Sequence, residues 1–306
     1  MKNLCTIIFI LFILSGLNCK KVELFDESLC VFQNYRDFCI SKNNREAYFT
    51  IQSPNRDLSQ IVCMKKENGE WLKPRLVEFC DEYRYLEPFL TIDNKRLFFV
   101  SDRPINDTLS IKKDFDIWYV KRANVNDKWS TPINIGSIVN SELDEFYPTL
   151  SRDNNLYFTM KSKEGLGKDD IYFCKWNGNE YSKPVLLNEN INSEGYEFNA
   201  YISKDESFLI YTKYNTKNGF GSGDLYISHK NQNGVWQKAV NLGDSVNTKF
   251  MEYCPFYDEK NEILYFTSNR YNLTPQNFST LSQFQAYISS GKNGNSQVYE
   301  IQINLD

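Results

Sequence analysis

Four stretches of this chain repeat one pattern: LEPFLTIDNKRLFFVSDR at 86–103, ELDEFYPTLSRDNNLYFTMK at 142–161, EFNAYISKDESFLIYTK at 197–213 and EYCPFYDEKNEILYFTSNR at 252–270. Each joins an apolar run, a polar turn and a second apolar run. A third run then opens on Asp116, Asp170 or Asp224, and a fourth follows an aromatic residue, Trp129, Tyr181 or Trp236. Short apolar and aromatic runs separated by Asn, Asp, Gly and Lys turns are the signature of antiparallel strands. The three aspartates stand 54 residues apart, and the aromatic-to-glutamate interval is 16 at Trp71–Glu87, Trp129–Glu145, Tyr181–Glu197 and Trp236–Glu252. Length varies instead between the second and third runs. A constant crossover beside a variable hairpin predicts a radial array of four-stranded blades.

Five units are counted. The first spans 35–79, with Gln60 in the aspartate position and Trp71 in the aromatic one. The fifth begins at Glu252, carries an insertion from Tyr271 to Asn295, and lacks a fourth run. The missing piece lies at the other end, since KVELFDESL at 21–29 matches KAVNLGDSV at 238–246. The expected fold is therefore an all-β, five-bladed propeller closed by pairing of the N-terminal segment with the last blade, which leaves no open sheet edge. A sixth blade would have to be hidden in 271–295. The expected organisation is an export signal over 1–19 and a single propeller domain over 20–306.

The N-terminus has Lys2, an apolar run from Leu4 to Leu14, and a cysteine at position 19. That run is short for a membrane span and suits the apolar region of an export signal. Cys19 directly after it resembles the acylated first residue of a bacterial lipoprotein, so the only membrane contact expected is a lipid anchor. Without Cys5 and Cys19 six cysteines remain, with no CxxC and no dense spacing, which points to buried thiols and away from a local structural zinc motif. A formal net charge of -4 supplies no basic field for a phosphate backbone, and nucleic acid is not expected as a partner.

The combination of apolar run, Ser-x-Asp turn, LYFTS at 264–268 and Asp-Ile-Tyr at 170–172 resembles the WD40-like PD40 repeats of TolB-like β-propellers over about residues 21–306. The resemblance implies an exported protein of the envelope, periplasmic or at the outer membrane, close in kind to Bacteroidetes-type propeller lipoproteins. The chain lacks the separate N-terminal domain of TolB, so TolB's partner is not carried over, and it shows no peptidoglycan-binding module.

Little in the sequence carries covalent chemistry. The single histidine, His229, ends an apolar run, and no serine or cysteine stands in a nucleophile turn. One imidazole makes no histidine metal cluster, so neither a metal nor a cofactor is expected. The glycines of GFGSGD at 219–224 precede a strand and do not open a phosphate-binding helix. Carboxylates are the serious alternative, because propeller glycosidases can recruit acids from several blades around the central funnel. Glu87, Glu145, Glu197 and Glu252 are the candidates. Yet recurrence at one repeat position argues for a shared task, accepting backbone N–H bonds where each crossover enters a blade. A catalytic pair should break the repeat, and no such break is visible. Asp116, Asp170 and Asp224, with Trp71, Trp129 and Trp236, read as structural repeat positions. The insertion does break the repeat, and its Tyr271, Phe278, Phe284 and Tyr287 make it a candidate recognition loop. The expected function is non-enzymatic binding of an envelope protein, or of a glycan, with a carbohydrate-active propeller as the alternative.

Overall fold

A computed structural model describes residues 21–105 and 114–305; Cys19 lies outside them. The strands form five antiparallel sheets arranged as a five-bladed propeller. Strand β1 (Glu23–Leu24) is followed by the first blade, β2 (Asn34–Ile40), β3 (Glu46–Gln52), β4 (Ser59–Glu67), β5 (Glu70–Trp71) and β6 (Arg75–Leu76). The second blade contains β7 (Tyr85–Leu90), β8 (Arg96–Ser101), β9 (Asp116–Lys121) and β10 (Ile133–Asn134). The third contains β11 (Glu145–Leu150), β12 (Leu156–Met160), β13 (Asp170–Cys174) and β14 (Val185–Leu186). The fourth contains β15 (Glu197–Ile202), β16 (Phe208–Tyr214), β17 (Gly223–His229) and β18 (Val240–Asn241). The fifth contains β19 (Glu252–Asp258), β20 (Ile263–Ser268) and β21 (Gln297–Gln302), and β1 completes it by pairing Glu23 with Glu300 and Leu24 with Tyr299. The chain ends thus close the ring. The insertion adds no blade; it contains one helix, α1 (Leu281–Ile288).

The second strand of every blade is apolar on both faces, as in LFFV at 97–100 and FLIY at 208–211, because each blade packs against a neighbour on either side. Three of the four aromatic residues that precede the outer strands bridge to the preceding blade, while Tyr181 packs on Trp176 of its own. Trp129 meets Tyr48 edge-on at 6.2 Å, Trp236 meets Tyr157 at 6.5 Å, and Trp71 meets Phe25 of the closing segment at 5.7 Å.

The crossovers into the third, fourth and fifth blades share one device. The side chains of Asn140, Asn192 and Asn247 each accept from a third-strand N–H and return a bond to the same residue's carbonyl, on Ile117, Ile171 and Leu225. A buried asparagine so placed satisfies backbone groups that another strand would otherwise have to satisfy. The crossover into the second blade lacks it. Eight residues lie between Leu76 and Tyr85, against ten between Asn134 and Glu145. Gln60 fills in, donating to the carbonyls of Asp81 and Tyr83.

Candidate functional site

The ladder registers divide the four repeat glutamates. Glu145 pairs through Met160 to Asp170, and Glu197 through Lys213 to Asp224. The same register in the second blade runs Tyr85, Ser101, Asp116. Tyr85 therefore occupies the slot that the 16-residue spacing assigns to Glu87, and Glu87 sits two residues further along its strand. The shorter crossover is the cause, since it lets Glu87 mimic the spacing from a different slot.

Glu145, Glu197 and Glu252 are buried where the crossovers enter. Each accepts from the backbone N–H and the hydroxyl of the residue four before it: Ser141 at 3.1 and 2.6 Å, Ser193 at 2.9 and 2.6 Å, Thr248 at 2.8 and 2.8 Å. Glu197 also pairs with Lys213 and Glu252 with Arg270, both at 3.2 Å. Glu145 has Met160 across the ladder instead of a cation, and its Oε2 is buried without a hydrogen-bond partner. Burial pushes its carboxyl up to about 8 despite the Ser141 bonds, and Asp116 and Asp114 push the same way. An acid raised in the folded state contributes stability that is present below its unfolded value and lost as pH rises through about 8. Glu145→Gln is expected to raise the melting temperature relative to the parent at pH 9 and to change it little at pH 5. Equal shifts at the two pH values would remove the carboxyl's titration as the cause.

The third-strand aspartates tie loops to strands. Asp224 accepts from the N–H groups of Phe220 and Gly221 and from Asn241, Asp170 from Gly167, and Asp116 from Asn134. The glycines of GFGSGD follow from this contact: a Cβ on Gly219 would lie 2.4 Å from the Asp224 carboxylate, and one on Gly221 2.1 Å from the Phe250 carbonyl.

The break in the repeat lies elsewhere, and the sequence reading missed it. Each inner strand shifts register once, between Arg36 and Cys39, Leu86 and Phe89, Phe146 and Thr149, Phe198 and Tyr201, and Tyr253 and Phe256. At each shift one residue adopts a left-handed backbone: Asp37 (φ 60), Glu87 (φ 57), Tyr147 (φ 52), Asn199 (φ 51) and Cys254 (φ 51). Such bulges re-aim a side chain, at some cost in strain. Here five chemically different side chains, one per blade, are brought together. The framework around them is regular, for the N–H of Asp37, Glu87 and Asn199 donates to the hydroxyl of Thr267, Thr50 and Thr159 from the preceding blade. In the second blade Val100 replaces that threonine, and the N–H of Tyr147 donates to Glu87 Oε2 at 2.6 Å instead. The shared proline in Glu87-Pro88, Tyr147-Pro148 and Cys254-Pro255 is the sequence signal that would have aligned these positions.

Arg36 is the hub of the cluster. Its Nε lies 2.5 Å from Asp37 Oδ1, and its Nη2 lies 3.1 Å from Glu87 Oε1 and 3.3 Å from Cys254 Sγ, with the Tyr253 ring 5.0 Å beneath the guanidinium. The Cys254 thiol is 2.9 Å from Asp37 Oδ1 and 3.4 Å from Asn199 Oδ1. Asp37 is 1% exposed and Glu87 5%. Burial and then Asp37 push the Glu87 carboxyl up, against the pull of Arg36; burial and Asp37 also push the Cys254 thiol up. A glycosidase needs a sugar ring and often a water between its two carboxyls. Here both carboxyls are tied to the one guanidinium of Arg36.

The insertion emerges at the end of the ring where the inner strands begin, and Ser296 at its close accepts from the Tyr35 N–H. Phe278 packs on Phe284 at 5.2 Å and on Tyr287 at 5.3 Å, and the Tyr287 hydroxyl closes the loop on Thr274. Thr280 caps α1, yet no α1 residue is buried. Leu281, Phe284 and Ile288 leave an exposed apolar stripe at helical spacing, and Tyr271 is exposed beside Asn293.

Fold and axis together define a five-bladed β-propeller of four-stranded antiparallel blades around a buried polar centre. No family model and no curated relative matches the chain. Its solved structural neighbours include the catalytic domain of the Coprinopsis cinerea GH62 alpha-L-arabinofuranosidase, at 8% identity and TM-score 0.53, with 88% of this chain and 90% of that one covered. The alpha-L-arabinofuranosidase PaAbf62A from Podospora anserina is similar at 12% identity and TM-score 0.51, covering 89% and 91%. TolB from Acinetobacter baumannii aligns at 8% identity and TM-score 0.49 over 88% of this chain, which spans about half of that protein, 54%. At such identities the likeness is one of fold. Among the described residues no helix is long and apolar enough to cross a membrane.

Proposed function

We propose that this chain is a non-enzymatic, exported propeller, tethered by lipid at Cys19, that presents the crossover end of its ring to a protein of the envelope. The observation that carries the reading is the exposed stripe of α1. An eight-residue helix capped by Thr280 and braced by the Phe278–Phe284–Tyr287 cluster is ordered without being used by the core. Large apolar side chains held on an ordered, otherwise exposed element suit a binding surface. The axis supports the same reading, because Arg36 ties up both of its carboxylates.

The test is affinity capture of the tagged, natively exported chain from gently solubilised envelopes, beside Leu281→Asp/Ile288→Asp and Cys19→Ala forms. A stoichiometric partner should be lost from the double variant by at least about tenfold, as expected when interface anchors are replaced by charges, while the melting temperature stays within a degree or two. A partner that persists with the double variant would remove α1 as the contact. The rival reading, a carbohydrate-active propeller, rests on Asp37 and Glu87, and its test is hydrolysis of arabinose-containing glycans by the parent but not by Asp37→Asn. Turnover of that pattern would overturn the non-enzymatic reading.

A further inference from the structure

We propose that the axis of the ring binds one divalent transition-metal ion of the zinc class, held by Asp37, Glu87 and Cys254 from three different blades. The ligand atoms of these residues all lie within 4.8 Å of one another, and all three side chains are buried. A second observation points into the same place: Asp37 Oδ2 is buried without a hydrogen-bond partner, although Oδ1 of the same carboxylate contacts both Arg36 and Cys254. A buried carboxylate oxygen left without a donor is costly, and a metal ion would satisfy it. Asn199 Oδ1, 3.4 Å from the Cys254 sulfur, offers a fourth oxygen donor.

Charge favours the same assignment. With both carboxylates ionised, Asp37, Glu87 and Arg36 sum to one uncompensated negative charge in a buried site. A divalent ion that displaces the thiol proton brings two positive charges and creates one thiolate, and the total becomes zero. The step balances as the metal ion plus Cys254–SH giving the metal thiolate plus one proton to solvent. A sulfur donor among carboxylates selects a borderline-soft ion over calcium or magnesium, which prefer all-oxygen sites. Arg36 then serves as an outer partner, its Nε on Asp37 Oδ1 and Nη2 on Glu87 Oε1 orienting the two carboxylates. The sequence reading considered metal sites built on histidine clusters or CxxC pairs; these donors stand on strands fifty or more residues apart and meet only at the axis.

The experiment uses the full exported chain, stripped with a chelator and freed of any affinity tag. Zinc is titrated against a chromogenic chelator, and cobalt is added as a spectroscopic probe. One ion per chain is expected, with about one proton released per zinc at pH 8 and a near-ultraviolet thiolate-to-cobalt charge-transfer band. Cys254→Ser should lose the band, Cys30→Ser should keep it, and Asp37→Asn should weaken zinc binding at least about tenfold. Should either axial variant fail to fold, the cobalt spectrum and proton count of the parent decide the matter alone. No stoichiometric zinc, a cobalt adduct without the thiolate band, or equal binding by folded Cys254→Ser would overturn the proposal.

Discussion

Replacing Arg36 with methionine is expected to destabilise the protein by about 3–5 kcal/mol at pH 8, the range seen when one partner of a buried ion pair is removed. Arg36 contacts both axial carboxylates, which are 1% and 5% exposed, and its guanidinium is the cation that offsets their charge. The penalty should depend on pH with a definite sign. Burial and Asp37 hold the Glu87 carboxyl above its ordinary value, so Glu87 takes up a proton as pH falls and one of the two carboxylates orphaned by the substitution loses its charge. Denaturant midpoints for the variant and the parent should therefore lie far apart at pH 8 and draw together at pH 5. Adding Glu87→Gln should recover part of the loss, and the double-mutant cycle should show a coupling of about 1–3 kcal/mol. A loss under about 1 kcal/mol, or one independent of pH, would mean that the axis does not depend on this pair. The comparison belongs in metal-free buffer, where Arg36 is the cluster's cation.

Deleting residues 21–26 is expected to have the larger effect, abolishing cooperative folding into a monomer. Those residues supply β1, and the Phe25 N–H continues the pairing to the Val298 carbonyl at 3.1 Å. The Phe25 ring packs on Phe38 of the first blade and Tyr265 of the fifth, with centroids 4.4 and 5.9 Å apart. Leu24 fits closely against Gly291, where a Cβ would meet its Cδ1 at 2.2 Å. Without this segment β21 becomes an unpaired edge and the aromatic contact between the first and last blades is lost, which predicts self-association through the exposed strand. Light scattering and calorimetry would show large species and a broad, low-temperature transition. Phe25→Ala, which keeps the pairing, is expected to cost about 2–4 kcal/mol, somewhat below a fully buried phenylalanine because Phe25 is only partly covered. A deleted form that stays monomeric with the parent's transition would show that the ring closes without β1.

The four-stranded unit, the count of five and the closing segment were all legible in the sequence for one reason. Strands buried on both faces read as short continuous apolar runs, turns require Asn, Asp and Gly, and a closed ring repeats both at a nearly constant spacing. KVELFDESL could be matched to the fourth strand of a complete blade because the same third-strand edge must be covered in every blade.

The axial cluster was not legible. Asp37, Glu87, Tyr147, Asn199 and Cys254 share no side-chain chemistry, so only the proline that follows three of them marks the position, and a crossover two residues shorter brought Glu87 into the spacing of three glutamates that do a different job. The convergence depends on two things that local sequence does not encode, a left-handed bulge in each inner strand and the radius of a five-bladed ring. The sequence by itself determined the blades and their order. Only the tertiary structure decided which residues face one another at the centre, because side chains contributed by five separate strands become neighbours only after the ring has closed.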